Sequence, residues 1–116
     1  MQVLIDYPGV NIPFGKYIKQ HFYCKVIYYI PPNEWMWTTA RTNTTVKMSD
    51  LILSIYKSES LYYKNAGATV VNIGHPLVDK FFQMSHKEAR GKLGVEEDEF
   101  FMALIPTSRE QEVRNV

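Results

Sequence analysis

The sequence has little that would tie the chain to an oxidising compartment, a nucleic acid or the interior of a membrane. Its single cysteine, Cys24, cannot form an internal disulfide and is expected to be a buried thiol beside a strand rather than a reactive one. The 13 lysines and arginines nearly balance the 12 aspartates and glutamates and are scattered, which argues against a nucleic-acid surface. No window reaches the roughly 18 apolar residues that cross a bilayer. A chain of 116 residues is also about one domain, too short for a complete two-domain enzyme.

Short apolar runs alternate with segments of helical spacing, and this alternation predicts an α/β fold. Apolar, β-branched and aromatic runs predict strands, whereas apolar residues three and four positions apart, with caps and glycine stops, predict helices. Strict alternation implies a mainly parallel sheet with right-handed crossovers. The predicted strands are residues 3–5, 25–30, 51–56, 69–73 and 100–105. One predicted helix is capped by Asn11 and has Pro13 in its first turn, and another begins at Ser58. The remaining predicted helices cover residues 38–48, 76–83 and 85–93.

The alternation breaks after Gly74, where two predicted helices follow each other with no strand between them. Ser85 and Glu88 have the spacing of a capping box at the start of the second helix, and Gly94 ends it. We therefore predict a first domain over residues 1–74, linker helices over residues 75–95, and the start of a second domain at residues 96–116.

Two polar loops follow predicted strands, where α/β folds keep their binding residues. The first loop is residues 74–76, Gly-His-Pro, and the second is residues 107–109, Thr-Ser-Arg. Arg109 and the free amides around Ser108 could bind a phosphate, or Arg109 could form a surface ion pair with a nearby glutamate. His75 could contact a nucleotide sugar, or it could cap a nearby carboxylate or a backbone carbonyl.

Several short motifs, taken in order, carry a resemblance to a known family. The motifs are residues 5–11 (IDYPGVN), 27–30 (IYYI) with 35–37 (WMW), 50–53 (DLIL) with Glu59, 74–79 (GHPLVD), and 103–109 (ALIPTSR) with 112–113 (EV). Their order and spacing across nearly the whole chain resemble the lipid-A-disaccharide synthase family. Members of that family are inverting glycosyltransferases, which join a UDP-linked acylated glucosamine to an acylated glucosamine 1-phosphate and release UDP.

The resemblance implies an architecture and a set of partners. The chain would be an α/β, Rossmann-like parallel sheet with flanking helices, taken from a truncated two-domain glycosyltransferase type B architecture. It would hold the C-terminal part of the first, acceptor domain, the linker helices and the start of the nucleotide-sugar domain, and alone it should not be a competent enzyme. The expected partners are the UDP-linked donor and the acylated acceptor, with no cofactor. No metal is expected, because no spacing of histidines and carboxylates suggests a metal site, and the scattered charges argue against nucleic acid. A cytoplasmic location is implied, and peripheral contact with the inner membrane through Trp35-Met36-Trp37 is one alternative, core packing of these aromatics the other.

The resemblance also implies where the chemistry lies. Displacement at a sugar C1 needs a base for the attacking hydroxyl and cationic or dipolar groups for the departing diphosphate. The family has an aspartate where this chain has Gly9, so Asp6 is the nearby carboxylate and the candidate catalytic residue, with capping of a turn as its alternative role. The candidate substrate-binding residues are Asn11, Trp35, Glu59, His75, Ser108 and Arg109.

Two rival interpretations remain beside the enzyme. Gly9 favours a non-catalytic remnant or binding module of the same fold, whereas Arg109 favours the enzyme. An unrelated Rossmann-like domain is disfavoured, because no Gly-x-Gly-x-x-Gly loop follows a predicted strand.

Overall fold

The chain forms a parallel α/β sheet of the Rossmann-like kind, as the alternation predicts. The computed structural model describes residues 1–33, 36, 38–81 and 84–105. Its strands are β1 (Gln2–Ile5), β2 (Val26–Tyr29), β3 (Leu51–Ser54) and β4 (Val70–Asn72), which pair in parallel in the order β1-β2-β3-β4. Its helices are α1 (Pro8–His21), α2 (Thr42–Met48), α3 (Lys57–Asn65) and α4 (His86–Leu93), with a 3-10 turn at Val78–Lys80.

The core lies between the helices and one face of the sheet. Alternate strand residues turn to this face, and Leu4, Val26, Tyr28, Ile52 and Val70 pack there against Ile12, Met48 and Tyr63 of the helices. On the opposite face Val3, Ile5, Val71 and Ile73 are between 42% and 58% exposed. Because all four strands run in the same direction, their carboxyl ends lie together at one edge of the sheet.

Gly15 lets α1 approach α2 and β1 closely. A Cβ atom at this position would lie 2.7 Å from Met48 Sδ and 2.9 Å from Leu4 Cδ1, closer than atoms in contact can come. Both side chains are only 2% exposed, so neither has open space to move into. The absence of a side chain at Gly15 therefore sets the separation of these elements.

We expect Gly15→Ala to lower the free energy of unfolding by about 1 kcal/mol. Overpacking a core costs about 1–3 kcal/mol, and the better helix propensity of alanine returns about 1 kcal/mol. Urea unfolding followed by circular dichroism measures the change. Gly91→Ala in α4 is the matched control, because a Cβ there meets nothing within 4 Å and should cost no stability. Equal stability of Gly15→Ala and the unchanged chain would show that the packing is loose.

Helix α1 begins earlier than the sequence predicts. Its first residue is Pro8, so Asn11 lies inside the helix rather than capping it, and Pro13 is also internal. Proline fits the first helical position, where its missing N–H costs nothing, and Pro8 takes that place instead of Pro13. The fold tolerates Pro13 at the cost of the hydrogen bond that residue 13 would donate to the carbonyl oxygen of Gly9.

The region after Gly74 agrees with the prediction only in part. The predicted helix over residues 76–83 is wrong as far as it is described, since the chain forms only the 3-10 turn there. Helix α4 is confirmed, with the capping box of Ser85 and Glu88 and with Gly94 in the left-handed conformation at its end. The predicted strand over residues 100–105 is wrong: residues 101–105 pair with no described strand and are exposed. A strand needs a ladder partner, and an apolar run alone does not supply one.

The residues group into two compact units, Met1–Phe81 and Phe82–Val116. The first contains the sheet with α1, α2 and α3, and the second contains α4. The predicted domain limits at residues 74 and 95 stay a prediction. Within the described part of the chain, no helix combines the length and the apolar character that a membrane crossing requires.

Candidate functional site

The carboxyl ends of the four parallel strands bring the conspicuous polar residues of the first unit to one edge of the sheet. We call this edge the carboxyl edge; it consists of residues 6–11 after β1, 30–33 after β2, 55–60 after β3 and 73–79 after β4. In open α/β sheets, ligands bind at this end, where loops rather than ladders meet solvent. The carboxyl edge is therefore the candidate site.

Three residues at the exits of β1 and β2 have backbone conformations that L-amino acids rarely adopt. The φ angles are 48° at Asp6, 33° at Tyr7 and 56° at Ile30. Such conformations cost about 1–3 kcal/mol each and persist only where surrounding contacts hold them, most often at functional sites. Ile30 is β-branched, for which positive φ is especially unfavourable. The strain concentrates where the candidate base, Asp6, lies.

Asp6 is exposed, and side-chain donors hold the backbone around it. The Asn11 side-chain amide donates to the carbonyl oxygens of Ile5 at 2.8 Å and of Asp6 at 2.7 Å. The Tyr28 hydroxyl donates to the Asp6 carbonyl at 3.0 Å, and the Asp6 N–H donates to the Tyr29 carbonyl at 2.9 Å. These bonds fix the turn while leaving the Asp6 carboxylate in solvent.

Tyr28 is fully buried beneath this turn. Burial, and next the negative charge of Asp6, raise the pKa of the Tyr28 hydroxyl to about 12, and the positive charge of Arg41 opposes the rise. The hydroxyl therefore keeps its proton at neutral pH and stays a hydrogen-bond donor.

Glu59 is fully buried in the first turn of α3. Its Oε2 atom accepts a hydrogen bond from the Ile55 N–H at 3.2 Å, so the carboxylate holds the loop between β3 and α3. The hydroxyls of Ser54, at the end of β3, and Ser60, in α3, hydrogen-bond to each other across this loop, and Asn72 Nδ2 donates to the Ser54 carbonyl at 3.3 Å. Glu59 is thus part of the framework of the edge.

His75 lies beside a pocket of about 470 Å³ at the end of β4. Its Nδ1 atom accepts from the Leu77 N–H at 3.2 Å, rather than capping a carbonyl, and its ring lies 5.7 Å from the ring of Tyr56. Because Nδ1 is the acceptor, the neutral imidazole carries its proton on Nε2, which can donate to a ligand. The pocket is lined by Tyr29, Ile73, Gly74, His75, Pro76, Val78 and Asp79.

The structure gathers Asp6, Asn11, Glu59 and His75 of the predicted site at the carboxyl edge. Trp35, Ser108 and Arg109 lie outside the described residues, and their predicted roles stay predictions. Among the described residues, no group of three or more histidines, cysteines, aspartates or glutamates could hold a metal ion.

Sequence reasoning missed Tyr28 and the strained Ile30. Tyr28 has a detectable signal: the period of two along β2 places it with Val26 on the core face, and a buried tyrosine hydroxyl needs an acceptor. Positive φ at an isoleucine has no such signal, since the residue type argues against it.

The comparisons with known proteins agree on one family. The chain matches over residues 1–116 the family described as lipid-A-disaccharide synthetase. It is 39% identical over 116 residues to the lipid-A-disaccharide synthase of Gloeothece citriformis and also 39% identical over 116 residues to that of Prochlorococcus marinus, covering 97% of this chain and 30% of each relative. Against lipid-A-disaccharide synthase 1 of Legionella pneumophila it is 38% identical over 112 residues, 96% of this chain and 29% of the relative.

The chain thus spans about 30% of the length of the curated relatives that it matches. The match nevertheless covers the whole carboxyl edge, with Asp6, Asn11, Glu59 and His75 inside it. The chain belongs to the lipid-A-disaccharide synthetase family.

Proposed function

We propose that the chain is the acceptor-side part of a glycosyltransferase of lipid A biosynthesis. The protein would move an acylated glucosamine from UDP to an acylated glucosamine 1-phosphate, at the cytoplasmic side of the membrane. One observation carries the proposal: in a chain of this family, the exposed Asp6 carboxylate stands on a strained, firmly held turn at the carboxyl edge. Strain of this kind at a strand exit is typical of a site that places a reacting group.

The chemistry assigns a role to Asp6. The acceptor hydroxyl oxygen attacks C1 of the donor sugar from the face opposite the diphosphate, and Asp6 takes the hydroxyl proton as general base. The new C1–O bond forms as the bond from C1 to the phosphate oxygen breaks, and UDP departs with the electron pair. The configuration at C1 is therefore inverted.

The remaining residues of the proposed site would bind the substrates or hold the loops of the site in place. His75 Nε2 would donate a hydrogen bond to the substrate in the pocket at the end of β4, and Ser108 and Arg109 would hold the diphosphate. Both amide hydrogens of Asn11 are used, so Asn11 would meet a substrate hydroxyl through Oδ1. Glu59 would act by fixing the loop after β3, and Trp35 would contact the acyl chains.

Release of UDP tests the proposal. The assay uses the polypeptide encoded by the whole reading frame that contains these residues, called the full-length protein below, with acylated donor and acylated acceptor. We expect UDP and a disaccharide to appear together, and only when both substrates are present. No UDP release above the rate without protein would reject the glycosyltransferase and support the non-catalytic remnant.

The family has an aspartate where this chain has Gly9, and Gly9→Asp tests whether Asp6 serves as the base instead or whether this chain has lost its base. A Cβ at position 9 would meet only ring atoms of Tyr7, at 4.0 Å, so aspartate fits there. If Asp6 is the base, we expect Gly9→Asp to change kcat by less than about threefold, with Gly9→Asn as the control of equal size. An increase of more than about tenfold in Gly9→Asp alone would mean that the base belongs at position 9 and that this chain has lost it.

A further inference from the structure

The carbonyl oxygen of Asp6 receives hydrogen bonds from two side chains on different elements. Asn11 reaches it from the second turn of α1 at 2.7 Å, and Tyr28 reaches it from β2 at 3.0 Å. The Asn11 amide also donates to the carbonyl oxygen of Ile5 at 2.8 Å and so bridges the carbonyl groups of two successive residues. Three bonds thus fix two successive carbonyl groups.

The alternation of β1 shows why Asp6 needs this support. Side chains of a strand alternate between faces, so an extended residue 6 would follow Leu4 onto the face that the helices cover. The φ of 48° at Asp6 breaks the alternation, and the side chain is exposed instead. A left-handed conformation is uncommon for a residue other than glycine and persists where surrounding contacts hold it.

We propose that Asn11 and Tyr28 are positioning residues of the reaction, which hold the Asp6 backbone in its left-handed turn and thereby keep the carboxylate at the carboxyl edge. This inference rests on the proposed function. Neither residue touches the reacting atoms in this role; each acts through Asp6.

Tyr28 suits the role because its hydroxyl is a permanent donor. The side chain is 0% exposed, and burial together with the Asp6 charge raises the pKa of the hydroxyl to about 12. A donor that never ionises at working pH holds the turn in every step of a reaction in which Asp6 gains and loses a proton.

A cycle of substitutions in the full-length protein tests the inference. Tyr28→Phe removes one hydroxyl, and we expect kcat for UDP release to fall roughly tenfold while KM for each substrate stays within about twofold. If Tyr28 acts only through Asp6, adding Tyr28→Phe to Asp6→Asn should slow the enzyme no further. Tyr62→Phe is the matched control, since it removes the hydrogen bond between Tyr62 and Thr42 at 2.5 Å and should leave kcat within about twofold.

Asn11→Asp probes the second support. It exchanges the donor for an acceptor that repels both carbonyl oxygens. Because two hydrogen bonds are lost and a repulsion is added, kcat should fall by more than about tenfold. Asn43→Asp on the exposed side of α2 introduces the same charge and should have no effect.

A second measurement needs no turnover and also uses the full-length protein. The carbonyl ¹³C chemical shift of Asp6 should change in Tyr28→Phe and in Asn11→Asp but not in Tyr62→Phe. An unmoved Asp6 signal overturns the inference whatever the activity. Equal losses of kcat from Tyr28→Phe in the presence and absence of Asp6 also overturn it, whereas a full-length protein that never releases UDP overturns the proposed function.

Discussion

Asp6→Asn should lower kcat for UDP release by the full-length protein by about 10²–10⁴-fold, the usual worth of a general base. Asparagine has the shape of aspartate and keeps the backbone atoms through which Asn11, Tyr28 and Tyr29 hold the turn. It cannot accept the proton of the acceptor hydroxyl. Because only proton transfer is lost, KM for both substrates should stay within about threefold. Steady-state UDP release at saturating donor and acceptor measures the change.

Asp98→Asn is the control, because Asp98 is an exposed aspartate of the second unit, far along the chain from the carboxyl edge. It removes the same charge and should leave kcat unchanged. An Asp6→Asn protein that keeps more than about a third of the unchanged rate would place the base elsewhere. Chemical shifts of the core residues should be the same in both variants, which separates lost chemistry from lost folding.

The fold was largely predictable because its determinants are local. Alternating apolar residues define the strands, and the capping box of Ser85 and Glu88 at the start and Gly94 at the end define α4. The strand predicted over residues 100–105 failed because pairing is a non-local property that an apolar run does not contain. The predicted start of α1 was wrong for a related reason. Pro8 and Pro13 both fit a first turn, and only the path of the chain out of β1 selects Pro8.

The candidate site was predictable in its location but not in its mechanics. Polar residues after buried strands indicate the carboxyl edge, and His75 was found in this way, whereas Asp6 was found through the family resemblance. The sequence does not reveal that Asn11 turns its amide back to the strand instead of capping the helix, because asparagine suits both places. Nor does it reveal that Glu59 is fully buried, since a glutamate in the first turn of a helix is usually exposed.

Asp50 holds together the opposite, amino end of the sheet. Its carboxylate accepts from the Val26 N–H at 2.7 Å and from Lys19 at 2.8 Å, and Lys25 lies at 3.4 Å. The hydrogen bond from Lys19 first, and the one from Val26 next, lower the pKa of Asp50 from 3.8 to about 2. The Asp50 side chain is 23% exposed, and the Lys25 side chain, at 79%, adds little. Asp50 therefore ties the end of α1 to the starts of β2 and β3.

We expect Asp50→Asn to lower the free energy of unfolding at pH 7 by about 1–2 kcal/mol, the pKa shift converted by linkage and reduced for solvent screening. A carboxylate whose pKa is lowered by folding stabilises the folded state above its unfolded pKa, and this contribution is lost as the pH falls through the folded pKa. The difference between the unchanged chain and Asp50→Asn should thus be constant from pH 7 to about pH 5 and shrink towards pH 2. Urea unfolding of both chains across this range measures it, and other titrating groups such as Glu88 cancel in the difference because both chains contain them. A difference that stays constant down to about pH 2.5 would show that it does not come from the negative charge of Asp50.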